Sequence, residues 1–247
     1  MKLALLSDLH ANRQAVEAVW AHAQEQGFDK LVMLGDYVDY GADPVWVVEF
    51  AQARQAEGAI LVRGNHDDAL SADTTSKMST HVLPSLAWTF EQLSLAQREW
   101  LTSLPLTEVV DGCLIAHANA HDPAHWEYIQ GRMEAMRSLA SSHYPVVFCG
   151  HVHEPCLYNV SSMGKAGEFQ PVDGVPISLS PARRWLAIPG SVGQPRDGNP
   201  AASYATYDTA AGVLTFFRVP YDHEAAARRI LDAGLPALYA ERLSHGR

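Results

Sequence analysis

The sequence predicts an α/β protein built on two β-sheets, read as a single domain over residues 1–247. Two observations carry that reading. Over the first 65 residues, short apolar runs alternate with stretches of helical periodicity, the rhythm of right-handed βαβ units on a parallel sheet. After residue 153 the rhythm becomes short strand-like runs between Gly- and Pro-rich turns, the pattern of antiparallel pairing. A chain of 247 residues can bury one full-sized core, and no repeat or linker divides it.

Residues 2–7 read as a first buried strand. Ala15, Val16, Val19, Trp20 and Ala23 then recur at helical spacing over residues 12–26, with Gly27 closing the helix. Residues 31–34 form an uninterrupted apolar run, as expected of a strand covered on both faces. Asp43-Pro44 opens the next helix, with Asp as cap and Pro at the first turn, and residues 59–62 form a third strand. Residues 69–81 read as an exposed loop near the site. Residues 83–104 read as two helices divided at Ser94, a cap-like segment or a dimer face. Residues 106–110 and 113–116 predict a hairpin, because Asp111-Gly112 tolerates the positive φ of a type I′ turn. A helix over 131–141 and a strand over 145–149 follow. Further strands are predicted at 156–160, 185–188, 203–208 and 213–218, with 161–181 the least structured part. Residues 221–245 predict helix interrupted at Gly234-Leu235-Pro236.

With 47% apolar and 19% charged residues, the chain is globular and not disordered. Eighteen basic against 28 acidic residues give a net charge of −10, which disfavours a nucleic-acid groove or an anionic membrane surface. Cys113, Cys149 and Cys156 lack metal or redox spacing and read as buried thiols. No apolar run reaches the length of a signal or a membrane span, so a cytoplasmic protein is expected.

Five short stretches carry the chemistry: Asp8-Leu9-His10, Gly35-Asp36 through Asp39, Gly64-Asn65-His66-Asp67, His117, and Gly150-His151-Val152-His153. Each follows a predicted strand, and such loops at strand ends are where sites form in α/β sheets. Alternate residues of an extended segment share a face, so Asp8 with His10, and His151 with His153, are expected to reach one ion. The two oxygens of Asp36 can bridge two. Taken singly, Asp8 and Asp36 read equally as turn caps, and His10 and His117 as a surface and a core histidine. Together they supply carboxylate, amide oxygen and imidazole, a set suited to manganese, with iron, zinc or nickel as alternatives.

The ordered blocks Asp-x-His, Gly-Asp-x-x-Asp, Gly-Asn-His-Asp, a lone His and Gly-His-x-His resemble the calcineurin-like metallophosphoesterase superfamily. The flanking sequences at 7–12, 35–44 and 189–198 resemble its small bacterial and archaeal phosphodiesterase/phosphatase branch. The resemblance implies a four-layer αββα sandwich with two mixed sheets, and two divalent metal ions. By position, Asp8, His10, Asp36 and His153 would hold one ion; Asp36, Asn65, His117 and His151 would hold the other. His66 would serve the leaving oxygen, Asp39 would orient His66, and metal-bound hydroxide would attack phosphorus. The implied substrate is a small phosphate ester, diester or monoester. A nuclease, and a catalytically inactive metal-binding scaffold of the same fold, are the alternatives. Tyr40 stands where phosphoprotein phosphatases carry a phosphate-gripping arginine. Arg196, Arg63 and Asn12 are therefore the candidates for substrate contacts, with Arg13 and Asn119 behind them. His121, Asp122 and His125 read as a solvated loop, and Trp88, Trp100 and Trp185 as core.

Overall fold

The computed structural model describes residues 1–71 and 78–247. In chain order the elements begin β1 (Lys2–Leu6), α1 (Arg13–Gln26), β2 (Lys30–Met33), α2 (Pro44–Ala56), β3 (Ile60–Leu61) and α3 (Asn65–Asp68). Then come α4 (Leu83–Gln92), α5 (Leu95–Ser103), β4 (Thr107–Val110), β5 (Cys113–Ala116), α6 (Arg132–Ala140) and β6 (Val146–Phe148). The remainder is β7 (Cys156–Ser161), β8 (Ala166–Phe169), β9 (Ile177–Ser178), β10 (Arg183–Ile188), β11 (Ala202–Asp208), β12 (Val213–Val219), α7 (His223–Asp232) and α8 (Ala237–His245).

Two six-stranded mixed sheets result, ordered β3-β2-β1-β11-β12-β9 and β4-β5-β6-β10-β7-β8. Strand alternation sorts the side chains into layers. Leu3 and Leu5 of β1 face the interior between the sheets, where they join Ile115, Phe148 and Ala187. Ala4 and Leu6 face the other way, into a cluster with Val16, Val19 and Val48 of the outer helices. On the far side, Leu114, Val147 and Leu186 pack against Ala135 and Leu139 of α6. The order is helices, sheet, sheet, helix: the αββα sandwich. Each fully buried leucine stabilises this arrangement by about 1.5–3 kcal/mol.

Local signals explain most element ends. Asn12 accepts the Ala15 amide and caps α1, and Gly27 closes it at φ 69°. Ser94 and Gln97 form a capping box on α5. Asp111 and Gly112 both adopt positive φ between β4 and β5, as the hairpin predicts. Asp43 flanks α2 but makes no side-chain cap; its carboxylate accepts from Arg229 of α7 instead. The least structured stretch, 161–181, contains the two edge strands β8 and β9. Their short sequences show no alternation and are ordered by pairing with β7 and β12. Part of the 69–81 loop is core, since Ala69 and Leu70 are buried, and residues 72–77 lie outside the described residues. Leu86, Leu93, Leu101 and Leu104 join the same cluster as α1 and α2, so α4 and α5 extend the outer helical layer. No helix among the described residues is long and apolar enough to cross a membrane.

The sheets meet the site at one end. In the first sheet β1, β2 and β3 are parallel neighbours; in the second, β5, β6 and β10 are. Their carboxyl ends deliver Asp8, Asp36, Asn65, His117, His151 and the 189–198 loop.

Candidate metal centre

The backbone turns left-handed to bring these side chains together. Asp8 (φ 54°), His10 (46°), Asp36 (53°), Asp39 (76°), His151 (67°) and His153 (65°) all lie at positive φ. Such conformations cost about 1–3 kcal/mol each and persist only where the surroundings impose them. Asp8 and His10 do join one ligand group, but through strained turns beyond β1 and not an extended pleat; the expectation that His151 and His153 reach one ion is corrected, since they enter separate groups. Close packing fixes the loops further. A Cβ on Gly64 would lie 2.0 Å from Asp36 Oδ1, and one on Gly150 would lie 1.8 Å from Ser7 Oγ.

Two groups of ligand atoms form, Asp8–His10–Asp36–His153 and Asp36–His117–His151, with the atoms of each within 4.8 Å of one another and all buried. The outward nitrogen of each imidazole sits against a backbone carbonyl. His10 Nδ1 lies 3.0 Å from Val38 O, His153 Nδ1 2.6 Å from Gln194 O, His117 Nδ1 2.7 Å from Leu34 O, and His151 Nε2 3.0 Å from Trp126 O. A carbonyl only accepts, so these nitrogens carry the protons and the opposite ones face the centre. His10 Nε2 and His153 Nε2 then lie 3.1 Å apart. His117 Nε2 and His151 Nδ1 lie 3.2 Å apart, and Asn65 Oδ1 is 3.2 Å from His117 Nε2.

Asp36 stands between the groups. Its Oδ1 accepts the His66 amide at 3.0 Å. Its buried Oδ2 has no hydrogen-bond partner among the described residues, and lies 3.2 Å from His117 Nε2 and 3.7 Å from His10 Nε2. An orphaned carboxylate oxygen between two clusters of inward-facing imidazoles fits a pair of divalent cations.

Electrostatics separates the clusters. Burial opposes ionisation of Asp8 and Asp36, but neighbouring imidazoles, His153 and His117 foremost, hold both carboxyls below their usual range. Burial, reinforced by His153, pushes His10 down; burial with the Arg196 charge pushes His153 down. Burial and His117 push His151 down to about 3. His117 is the exception: against its burial, the Asp36 charge lifts it to about 9.

The flanking residues sort themselves by contact. His66 Nδ1 lies 2.7 Å from Asp39 Oδ2, while His66 Nε2 faces the centre, 3.9 Å from Asp36 Oδ2. Burial opposes protonation of His66, yet Asp36 and Asp39 raise it above the ordinary imidazole range. Arg196 donates to Gln194 and sits 5.8 Å from the Tyr40 ring centre. Arg63 is placed elsewhere: its guanidinium donates to Thr102 O and pairs with Asp68 at 3.3 Å. Asn12 is committed to the α1 cap, to Gly193 O and to the Tyr221 hydroxyl. Asn119 holds its own loop through Glu127 O and the Asp122 amide. Arg13 pairs with Glu17 on the surface.

Two features escaped the sequence. Asp67, without an assigned role there, accepts the amides of Asp36, Tyr37 and Gly64 at 2.9–3.0 Å and so ties the end of β2 to the end of β3. Burial, with Asp36 adding to it, pushes its carboxyl up to about 7. The loop after His117 is not merely solvated. His121 pairs with Glu127, but Trp126, at φ 57°, presents its carbonyl to His151, and the Tyr128 ring stacks on His151 at 3.9 Å. A proximity argument from His117 along the chain would have reached both.

The comparisons agree with this geometry. The family profile of the calcineurin-like phosphoesterase superfamily domain matches residues 1–212. An uncharacterized protein of Methanocaldococcus jannaschii is 32% identical over 99% of this chain and 98% of its own length. The crystal structure of a metallophosphoesterase from Sphaerobacter thermophilus is 33% identical, covers 100% of this chain and 99% of that one, and superposes with a TM-score of 0.85. A hypothetical protein from Pyrococcus horikoshii, 21% identical over 100% of this chain and 98% of that one, shares the fold with a TM-score of 0.78. With the profile spanning most of the chain and the relatives nearly all of it, the protein belongs to the calcineurin-like phosphoesterase superfamily, in its branch of small bacterial and archaeal proteins.

Proposed function

We propose that the protein is a dinuclear metal-dependent phosphoesterase that hydrolyses a phosphodiester or phosphomonoester bond of a small substrate. The observation that carries this is the meeting of His10 Nε2 and His153 Nε2 at 3.1 Å beside the unpartnered Asp36 Oδ2. Two lone pairs aimed at each other in a buried site repel unless a cation lies close by. Asp8, His10, Asp36 and His153 hold the first cation; Asp36, Asn65, His117 and His151 hold the second. Manganese fits this donor set, as do iron, zinc and nickel. When bound, the pair supplies positive charge to the phosphoryl oxygens and brings the pKa of water toward neutrality.

The chain's own residues do the rest. Asp39 fixes His66 through Nδ1, leaving Nε2 to hand a proton to the departing ester oxygen. Arg196 supplies a guanidinium near the place where Tyr40 stands instead of an arginine, and its Nε has no hydrogen-bond partner among the described residues. A planar fork of this kind suits a phosphoryl oxygen pair.

The test is hydrolysis of a chromogenic bis-aryl phosphodiester, and of the matching monoester, by chelator-stripped protein titrated with Mn²⁺. Manganese-dependent turnover is expected, with His66→Ala lowering kcat by about 10²–10⁴ while both cations stay bound. Failure to bind cations would overturn the reading.

A further inference from the structure

A cavity of about 290 Å³ opens directly beside the centre, with Asn65, His66 and His151 on its inner side. Four further aromatic side chains line it, Tyr40, His125, Trp126 and Tyr128, together with Asp68, Met78, Ser79 and Val82. The Tyr128 ring lies nearly parallel to the His151 ring, 20° apart at 3.9 Å, so one face is covered by a ligand imidazole. The residue is nonetheless 42% exposed and lines the cavity. The Trp126 carbonyl that fixes His151 also fixes the start of this wall. Among the described residues no lysine or arginine lines the cavity. A flat group is matched there by the ring faces.

We infer that the phosphate ester carries a flat aromatic group, such as an aryl or nucleobase-bearing moiety, which stacks on the ring of Tyr128 while its phosphoryl group meets the metal centre. The inference rests on the phosphoesterase reading and names its substrate class. It makes Tyr128 a specificity residue, and it places in the binding site a segment that carries no metal ligand.

The test is calorimetric binding to the Mn²⁺-loaded protein of benzylphosphonate, of cyclohexylmethylphosphonate, similar in size but not flat, and of tripolyphosphate. Stacking on an aromatic side chain predicts that benzylphosphonate binds about tenfold tighter than its saturated counterpart. The ratio persists in Tyr128→Phe and collapses toward one in Tyr128→Leu. Quenching of Trp126 fluorescence by benzylphosphonate, removed in Trp126→Phe, reports occupancy of the same wall. Equal affinities in the wild type, or tripolyphosphate binding tighter than benzylphosphonate, would overturn the inference. Diester turnover would still stand in that case. Loss of both phosphonate binding and turnover would remove the phosphoesterase reading itself.

Discussion

The two ligand clusters share Asp36 yet hold protons differently. In the first, Asp8 and Asp36 are kept ionised and His10 and His153 are kept neutral, so every donor is stripped of its proton near neutral pH. In the second, His151 is neutral but His117 holds a proton up to about pH 9 because Asp36 lies 3.2 Å from its Nε2. Protonated in this way, His117 Nε2 faces the otherwise unpartnered Asp36 Oδ2, so that proton stands where a cation would. The first cluster is thus preset for an ion, whereas the second would have to exchange a proton for one. The second also faces the cavity through Asn65 and His151.

Removing the shared group is expected to have the largest effect. Asp36→Asn keeps the shape and deletes the charge that both clusters use. Metal content, measured by elemental analysis after dialysis, should fall from two per chain toward zero. Turnover should fall by more than the roughly hundredfold typical of changes behind the ligands. His151→Ala touches only the second cluster and should leave one cation bound. If Asp36→Asn also retained one tightly held cation, the bridging role would be wrong.

How much of this was legible beforehand depends on what each feature rests on. The five blocks stood out because Asp, His and Gly cluster where apolar runs stop, and the two sheets followed from the change of rhythm after residue 153. The left-handed turns at Asp8, Asp36 and His153 left no sequence mark, since the surroundings and not the residue types impose them. Asp67 looked like one more acid in a block, and only the fold brings three amides to it. Tyr128 lies 11 residues beyond His117, and its stacking on His151 depends on the path of an irregular loop. Strands β8 and β9 are read from their partners, because edge strands this short carry no periodicity.

The proton difference gives the next effect. Below about pH 9, binding of the second cation must displace the His117 proton. Its affinity should therefore fall about tenfold for each pH unit below 9 and level off above it. At pH 7, about one proton should be released per second cation, read as the dependence of binding enthalpy on buffer ionisation heat. The first cation should release less, only what its capture of Asp36 draws from His117 and Asp67. Equal release in the two steps would erase the distinction between the clusters.

The smallest effect sharpens the comparison at its neutral ligand. Asn65 offers an amide oxygen 3.2 Å from His117 Nε2 and carries no charge, so it would support a second cation by its dipole alone. Its side-chain nitrogen is already turned to Met78 Sδ at 3.8 Å, which holds the oxygen toward the centre. Asn65→Ala removes that dipole and leaves Asp36, His117 and His151 in place. Affinity for the second cation should drop by about tenfold, near 1.4 kcal/mol, while the first is unchanged, as two-step calorimetric titration would show. Asn65→Asp adds a charge at the same place and should tighten the second cation while slowing release of the phosphate product. An equal loss at both cations in Asn65→Ala would mean that Asn65 acts through the β3 loop and the Asp67 strut, not as a donor to one ion.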